Sequence, residues 1–263
     1  MERKIIFFDV DGTLYTPELG GISKNVKNAI RQTRSQGHLC FISSGRPTAF
    51  IAENVKEIEF DGYVLANGAH IQFGNKDLRI SYLNYDNLKE LIEKLKIKGI
   101  EYVLQTPTYA YIDRKCINLI SFFSKCNIDL CNFCYEFNED DIMHQTLKIE
   151  VWVHNDEELK YAQTCFGNFA YEVHPDNHSI EVYAKDVSKA TGILDVLNLL
   201  DMSVQDSICF GDGPNDVEMF ETVGYSIAMG NAIDVIKDRA DEICLSVLQD
   251  GVACKLKELF DLK

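Results

Sequence analysis

The apolar positions of the chain follow two patterns, and the change from one to the other divides it. Lys4 to Val10 is an apolar run rich in isoleucine and phenylalanine, bounded by Asp11-Gly12. A segment apolar on both faces predicts a buried strand of a parallel sheet. Ser23 opens a helix through about Gln36, with Val26, Ile30 and Thr33 on one face and Gly37 as its stop. His38 to Ser43 is a second buried strand, followed by Gly45-Arg46-Pro47 and a helix near Thr48 to Val55. Tyr63 to Ala66 is a third strand, ending at Asn67-Gly68. Strands and helices alternating at these lengths predict an open α/β sheet.

After about Ser81 the period becomes two. Asn84 to Lys98 is an amphipathic helix stopped by Gly99, and Glu101 to Gln105, Thr108 to Asp113, Lys148 to His154 and Ser179 to Tyr183 alternate apolar with polar. Alternation predicts strands with one wet face in a mostly antiparallel sheet. Ile117 to Cys126 and Glu157 to Cys165 read as helices packed together on the other face. The α/β pattern then resumes: a helix capped by Ser188 from Lys189 to Leu200, a buried strand from Ser207 to Phe210 closed by Gly211-Asp212-Gly213, a helix from Asp216 to Thr222, and a strand from Tyr225 to Met229. A helix from Ala232 to Ala240, an edge strand at Ile243 and Cys244, and a closing helix from Gly251 to Phe260 complete it.

Composition narrows the function. The 263 residues suffice for one large domain or two smaller ones, and the balance of 46% hydrophobic and 25% charged residues is that of a globular protein. No apolar run approaches the roughly 18 residues of a membrane span. Met1 to Lys4 leads into only the short run Ile5 to Phe8, which is no signal peptide, so the chain is expected to be cytoplasmic. A net charge of −15 disfavours nucleic acid and anionic membranes as partners. An anionic substrate would therefore need local positive charge, from a cation or from placed basic residues. The odd count of nine cysteines precludes complete internal pairing, and reduced thiols are expected. Cys126, Cys131 and Cys134 lie close in sequence, but no second C-x-x-C accompanies Cys131 and Cys134 to complete a zinc site.

In an open parallel sheet, sites form beyond the carboxyl ends of the strands. Three strands here end in candidate chemistry: Asp9 and Asp11, then Ser44, then Asp212. Carboxylates crowded together call for a hard cation such as magnesium. One carboxylate could attack phosphorus as a nucleophile, and an acid two residues away could protonate the leaving group. An EF-hand is excluded because the position eleven residues after Asp9 is Gly20, and after Asp212 it is Val223. The run from Gly211 to Asp216 lacks the third glycine of a dinucleotide fingerprint, and Pro214 interrupts it.

These segments resemble the haloacid dehalogenase superfamily, in particular its Cof-like phosphatases with a type IIB cap. The motifs that carry the resemblance occur in order: Phe7-Phe8-Asp9-Val10-Asp11-Gly12-Thr13-Leu14, Phe41-Ile42-Ser43-Ser44-Gly45-Arg46-Pro47, Ser188-Lys189, and Gly211-Asp212-Gly213-Pro214-Asn215-Asp216. Asn67-Gly68-Ala69 and Ala228-Met229-Gly230-Asn231-Ala232 extend it over the chain. It implies a Rossmann-like α/β core from residues 1–83 and 186–263, with an α+β cap from 84–185 inserted to govern substrate specificity. It further implies Asp9 as nucleophile, Asp11 as general acid/base and Lys189 as the group that neutralises the phosphoryl charge. Mg2+ would be held by Asp9, Asp212 and the main-chain carbonyl of Asp11. Substrate contacts would come from Val10, Gly12, Ser44, Gly45, Arg46, Lys189 and Asn215, with Thr13 and Asp216 supporting the site.

The insertion falls between the second and third motifs, since Thr13 and the helix cap at Ser23 leave no room for one earlier. Cap contacts to substrate could come from His144, Lys148, Trp152, His154, His174, Asp176 and His178, although Trp152 between two valines also fits simple packing. The expected activity is Mg2+-dependent hydrolysis of a small phosphorylated metabolite, a sugar phosphate or phosphorylated cofactor, through an aspartyl-phosphate. Phosphoryl transfer between sugars and non-catalytic phosphoester binding are the alternatives. A monomer or weak homo-oligomer is expected.

Overall fold

The computed structural model describes residues 2–126 and 128–263, so Met1, the first residue of the amino-terminal segment discussed above, lies outside it. Two compact units divide the chain: Met1–Gly45, Glu53–Arg79 and Ser188–Lys263 form one, and Arg46–Ala52 with Ile80–Val187 the other. No helix among the described residues is long and apolar enough to cross a membrane.

The strands of the first unit are β1 (Ile5–Phe8), β2 (Leu39–Ser43), β3 (Gly62–Leu65), β4 (His70–Phe73) and β5 (Lys76–Ile80). The second unit holds β6 (Glu101–Gln105), β7 (Ala110–Ile112), β8 (Phe133–Cys134), β9 (Lys148–Trp152), β10 (Phe169–Val173) and β11 (Ser179–Ala184). The chain then supplies β12 (Ser207–Gly211), β13 (Tyr225–Ala228) and β14 (Glu242–Ile243). The helices are α1 (Lys24–Ser35), α2 (Glu53–Lys56), α3 (Tyr85–Lys98), α4 (Ile117–Lys125), α5 (Glu139–Met143), α6 (Asp156–Cys165), α7 (Lys189–Leu199), α8 (Val217–Thr222), α9 (Asp234–Lys237) and α10 (Gly251–Phe260).

The first sheet runs β14-β13-β12-β1-β2-β3-β4-β5 among the described residues. It is parallel from β14 to β3, and β4 returns antiparallel to β3. All four residues of β1 are fully buried, as a central strand covered on both faces requires. α1 forms because Ser23 accepts the Val26 N–H at 3.2 Å and Val26, Ala29, Ile30 and Thr33 recur at helical spacing on its buried side. The hairpin of β4 and β5 is not anticipated from the sequence; its second strand is largely charged and has no buried residue, so it carries little apolar pattern. The helix expected near Thr48 to Val55 is instead a 3-10 turn at Thr48–Phe50 followed by the single turn α2. Segment 46–52, read above as core, belongs to the second unit because Ala49 and Phe50 are buried there. The Phe50 ring lies 5.1 Å from that of Phe123 and 5.3 Å from that of Phe133.

The second sheet runs β10-β11-β9-β6-β7-β8, antiparallel except for the pair β7 and β8. Its helices are not on one face as expected. Leu104, Ile149 and Val151 pack with residues of α3 and α6, whereas Val103 and Ile112 pack with Leu119 and Phe123 of α4. Successive residues of a strand point to opposite faces, and alternation alone does not say which helix takes which face. Nor is the polar face of β9 wet. Lys148 and Glu150 are buried: Lys148 pairs with Glu181 at 2.7 Å, and His174 approaches Glu150 at 3.2 Å and Glu181 at 3.8 Å. Burial pulls the His174 imidazole down, but Glu150 and Glu181 outweigh it and raise its pKa to about 9. The stability that the charged His174 draws from its ionised partners is therefore in place just below the ordinary histidine range and is lost as pH rises through about 9. An NMR titration is expected to find His174 protonated at pH 7 and titrating near 9.

Candidate active site

Strand register builds the site. β1 lies between β12 and β2, with Phe8 opposite both Phe210 and Ile42. The Asp9 N–H donates to the Phe210 carbonyl at 3.0 Å, so Asp9 emerges beside the end of β12, where Asp212 follows. Here β1 leads on to β2 in one direction along the sheet and β12 to β13 in the other, the kind of switch point where open α/β sheets bind ligands.

Lys189 enters from α7. Ser188 caps that helix by accepting the Thr191 N–H, and the Thr191 hydroxyl accepts the Ser188 N–H in return. α7 can approach the end of β3 only because small residues meet there: a Cβ on Gly68 would lie 2.2 Å from the Ser188 carbonyl oxygen, and one on Gly192 would lie 2.5 Å from Val64. Lys189 is 1% exposed, and its Nζ donates to Asp9 Oδ1 and Asp216 Oδ1, both at 2.6 Å. The other oxygen of Asp216 accepts the N–H groups of Asp212 and Gly213 at 2.9 and 3.0 Å. Asp216 thus fixes the lysine and the loop bearing Asp212 together. Gly211 leaves room for this, since a Cβ there would meet Asp216 Oδ2 at 2.6 Å.

The loop after Asp9 is a tight turn. The Val10 carbonyl accepts the N–H groups of Leu14 and Tyr15, and the Gly12 N–H donates to the Tyr15 carbonyl at 2.7 Å. Gly12 has φ +87°, and a Cβ would fall 2.1 Å from Asp212 Oδ2, so both backbone and space demand glycine. The Thr13 hydroxyl donates to Asp212 Oδ1 at 2.9 Å.

Charge accumulates here. Burial raises the Asp9 carboxyl well above its usual range; Lys189 opposes this, while Asp216, Asp212 and Asp11 add to it. Burial and then Asp216 raise Asp212 to about 6. Lys189 is held above the usual lysine range because Asp216 and Asp9 outweigh its burial. Carboxylate oxygens of Asp9, Asp212 and Asp216 lie within 4.8 Å of one another, a set of hard donors whose excess negative charge suits a divalent metal ion. Asp11, expected as a ligand through its main-chain carbonyl, contributes no carboxylate to this group. A second group, Glu150, His174 and Glu181, already contains the counter-charge of Lys148. Cys126, Cys131 and Cys134 belong to neither group among the described residues.

The other expected residues are placed as follows. Ser44 is buried at the end of β2, with its N–H on the Val64 carbonyl and its carbonyl accepting the Asn67 N–H. Gly45, Asn67 and Asn215 adjoin: a Cβ on Gly45 would lie 2.8 Å from Asn67 Oδ1 and 3.5 Å from Asn215 Nδ2. Arg46 falls in the second unit, where it donates to the Phe50 carbonyl at 3.1 Å. Among the cap candidates, His144 stacks on Tyr85, Trp152 stacks on His178, and Asp176 accepts the N–H groups of His178 and Ser179. The His154 N–H donates to Glu158. Sequence reasoning assigned no role to Asn67, held with Ala66 and Gly68 at positive φ, or to Asn231, which bonds the Gly12 carbonyl. The Asn-Gly after β3 was the available signal for the first.

A family model described as haloacid dehalogenase-like hydrolase matches residues 6–256. The chain belongs to that family. The "Putative phosphatase YkrA" of Bacillus subtilis is 29% identical over the full length of both chains. The 5-amino-6-(5-phospho-D-ribitylamino)uracil phosphatase YitU of the same organism is 28% identical, again over the full length of both. A solved sugar phosphatase of haloacid dehalogenase subclass IIB shares the fold, with a TM-score of 0.82 at 23% identity over 98% of this chain and 100% of the other. As a haloacid dehalogenase-like hydrolase with phosphatases as its relatives, the chain is a phosphoric monoester hydrolase.

Proposed function

We propose that this phosphatase hydrolyses a small phosphorylated metabolite, a sugar phosphate or phosphorylated cofactor, with Mg2+ and through an aspartyl-phosphate on Asp9. The observation that carries the reading is Lys189, buried between Asp9 and Asp216 with Asp212 in the same cluster. A structural ion pair needs one carboxylate per lysine, and three oxygen donors suit Mg2+ better than a softer metal. Asp9, Asp212 and the Asp11 carbonyl would hold the ion, which would offset phosphoryl charge and orient the group for attack. A carboxylate oxygen of Asp9 forms the new bond to phosphorus as the ester P–O bond breaks, and Asp11 gives its proton to the departing alkoxide. Asp11 then takes a proton from water as that water attacks phosphorus, releasing phosphate and restoring Asp9. Lys189 keeps Asp9 oriented and offsets charge, while Ser44 and Asn215 bind phosphoryl oxygens. The second unit would select the leaving group; the relative YitU, named for a phosphorylated ribityl compound, supports a substrate of this size.

The test is phosphate release from a panel of phosphorylated sugars and cofactors, with Mg2+ and with chelator. Release that needs Mg2+ and favours particular esters is the expected result. Undiminished release in chelator, or phosphate moved to a second sugar instead of to water, would sink it.

A further inference from the structure

We infer that Asn231 is a positioning residue for the proton donor, tying the loop of Asp11 and Gly12 to the loops behind it. This rests on the reading of Asp11 as general acid. The Asn231 Nδ2 donates to the Gly12 carbonyl at 2.8 Å, and its Oδ1 accepts the Val247 N–H at 2.8 Å. The second bond settles the orientation of the amide: a backbone N–H can only donate, so Oδ1 must face Val247 and Nδ2 must face the carbonyl.

The loop from Val10 to Tyr15 closes on itself through the Val10 carbonyl and the Gly12 N–H. Side-chain bonds from Thr13 to Asp212 and from Asn231 to Gly12 then attach it to its surroundings. The Thr13 bond acts at the metal-ligand side of the loop. The Asn231 bond acts on the Gly12–Thr13 peptide, one residue beyond Asp11, and so limits how far the flexible Gly12 can let Asp11 drift. Asn231 is itself well anchored: the Met229 N–H donates to the Gly211 carbonyl at 3.0 Å, and the Ile233 N–H to the Asp212 carbonyl at 3.1 Å. The acid loop and the metal-ligand loop are thereby held as one piece. Loss of the Asn231 amide would loosen Asp11 while leaving the bonds of Asp9, Lys189 and Asp212 in place.

The experiment compares an alkyl monophosphate with p-nitrophenyl phosphate, both with saturating Mg2+, in wild type, Asn231→Ala, Asn231→Asp and Asp11→Asn. A poor leaving group needs its proton in the transition state, and nitrophenolate does not. Asn231→Ala is expected to lower kcat on the alkyl ester about tenfold or more, and on the aryl ester less than about threefold, as for a displaced general acid. Asn231→Asp keeps the acceptor for Val247 and replaces the donor to Gly12 by a charged oxygen that repels its carbonyl, so it should show the same split even if the alanine variant folds poorly. Asp11→Asn should show that split in larger form. Equal losses on the two esters, or none, in the Asn231 variants while Asp11→Asn splits them would overturn the role of Asn231. No split in Asp11→Asn would overturn the general-acid reading and this inference with it.

Discussion

Asp9→Asn is expected to reduce phosphate release roughly a thousandfold or more, the scale on which removal of a covalent nucleophile acts, and at the same time to stabilise the metal-free fold at neutral pH. The two outcomes have one cause. The Asp9 carboxyl is buried among Asp216, Asp212 and Asp11, and its pKa stands well above the usual carboxylate range despite Lys189. A raised carboxyl means that the fold prefers the neutral form. Ionised Asp9 therefore weakens the metal-free fold increasingly as pH rises from the unfolded value through the folded one. Asparagine has nearly the same shape and stays neutral, so the melting temperature should exceed that of wild type at pH 7 and converge with it in acid. Mg2+ should stabilise wild type more than the variant, because the variant offers the ion one charge fewer. Scanning calorimetry with and without Mg2+ measures this. A variant less stable than wild type without metal would show that the Lys189 contact outweighs the crowding of carboxylates.

The largest loss of stability should come from Lys189→Met. Methionine fills similar volume but leaves Asp9 and Asp216 buried without their shared cation, and stranding buried charge in this way costs about 3–5 kcal/mol. The loss should be greatest at neutral pH and shrink toward pH 5. Asp212 titrates at about 6 and Asp9 is also raised, so protons can replace the missing positive charge as pH falls. Urea denaturation at pH 7 and at pH 5 checks the direction. An equal loss at both would place the role of Lys189 in packing. Turnover should fall as well, since the phosphoryl group loses its fixed cation.

Several of these features could be read from residues before any coordinates. Ile5 to Phe8 and Ser207 to Gly211 announce buried strands because they are apolar on both faces, and each is followed by an acid and a glycine. That pattern suffices to bring Asp9 and Asp212 to one edge of a sheet, and the structure also draws Thr13, Lys189 and Asp216 there. What could not be read is which face of a strand meets which helix. Val103 and Leu104 are equally apolar, yet one faces α4 and the other faces α3 and α6. Buried charge is equally hidden. Lys148 and Glu150 look like solvent-facing positions, and only the cross-strand partner Glu181 and the nearby His174 explain why they are inside. Asn231, although it lies in a segment that carries the resemblance, has no legible role for a related reason: its two bonds reach Gly12 and Val247, far apart in sequence, and a lone asparagine carries no period.

The position of β1 has a consequence for how the protein is made. Lys189 follows Asp9 by 180 residues, and at about 5–20 residues per second a ribosome needs about 10–40 s to supply it. β1 can pair with β2 early, but its other edge must wait for β12. Through that interval the nascent chain exposes an unpaired edge of isoleucine and phenylalanine, the kind of surface that recruits chaperones or other chains. The second unit, whose residues are contiguous apart from 46–52, can fold during the wait. The cluster of Asp9, Asp212 and Asp216 therefore assembles late in synthesis, and a chain that stops before Ser207 has neither that cluster nor a complete sheet.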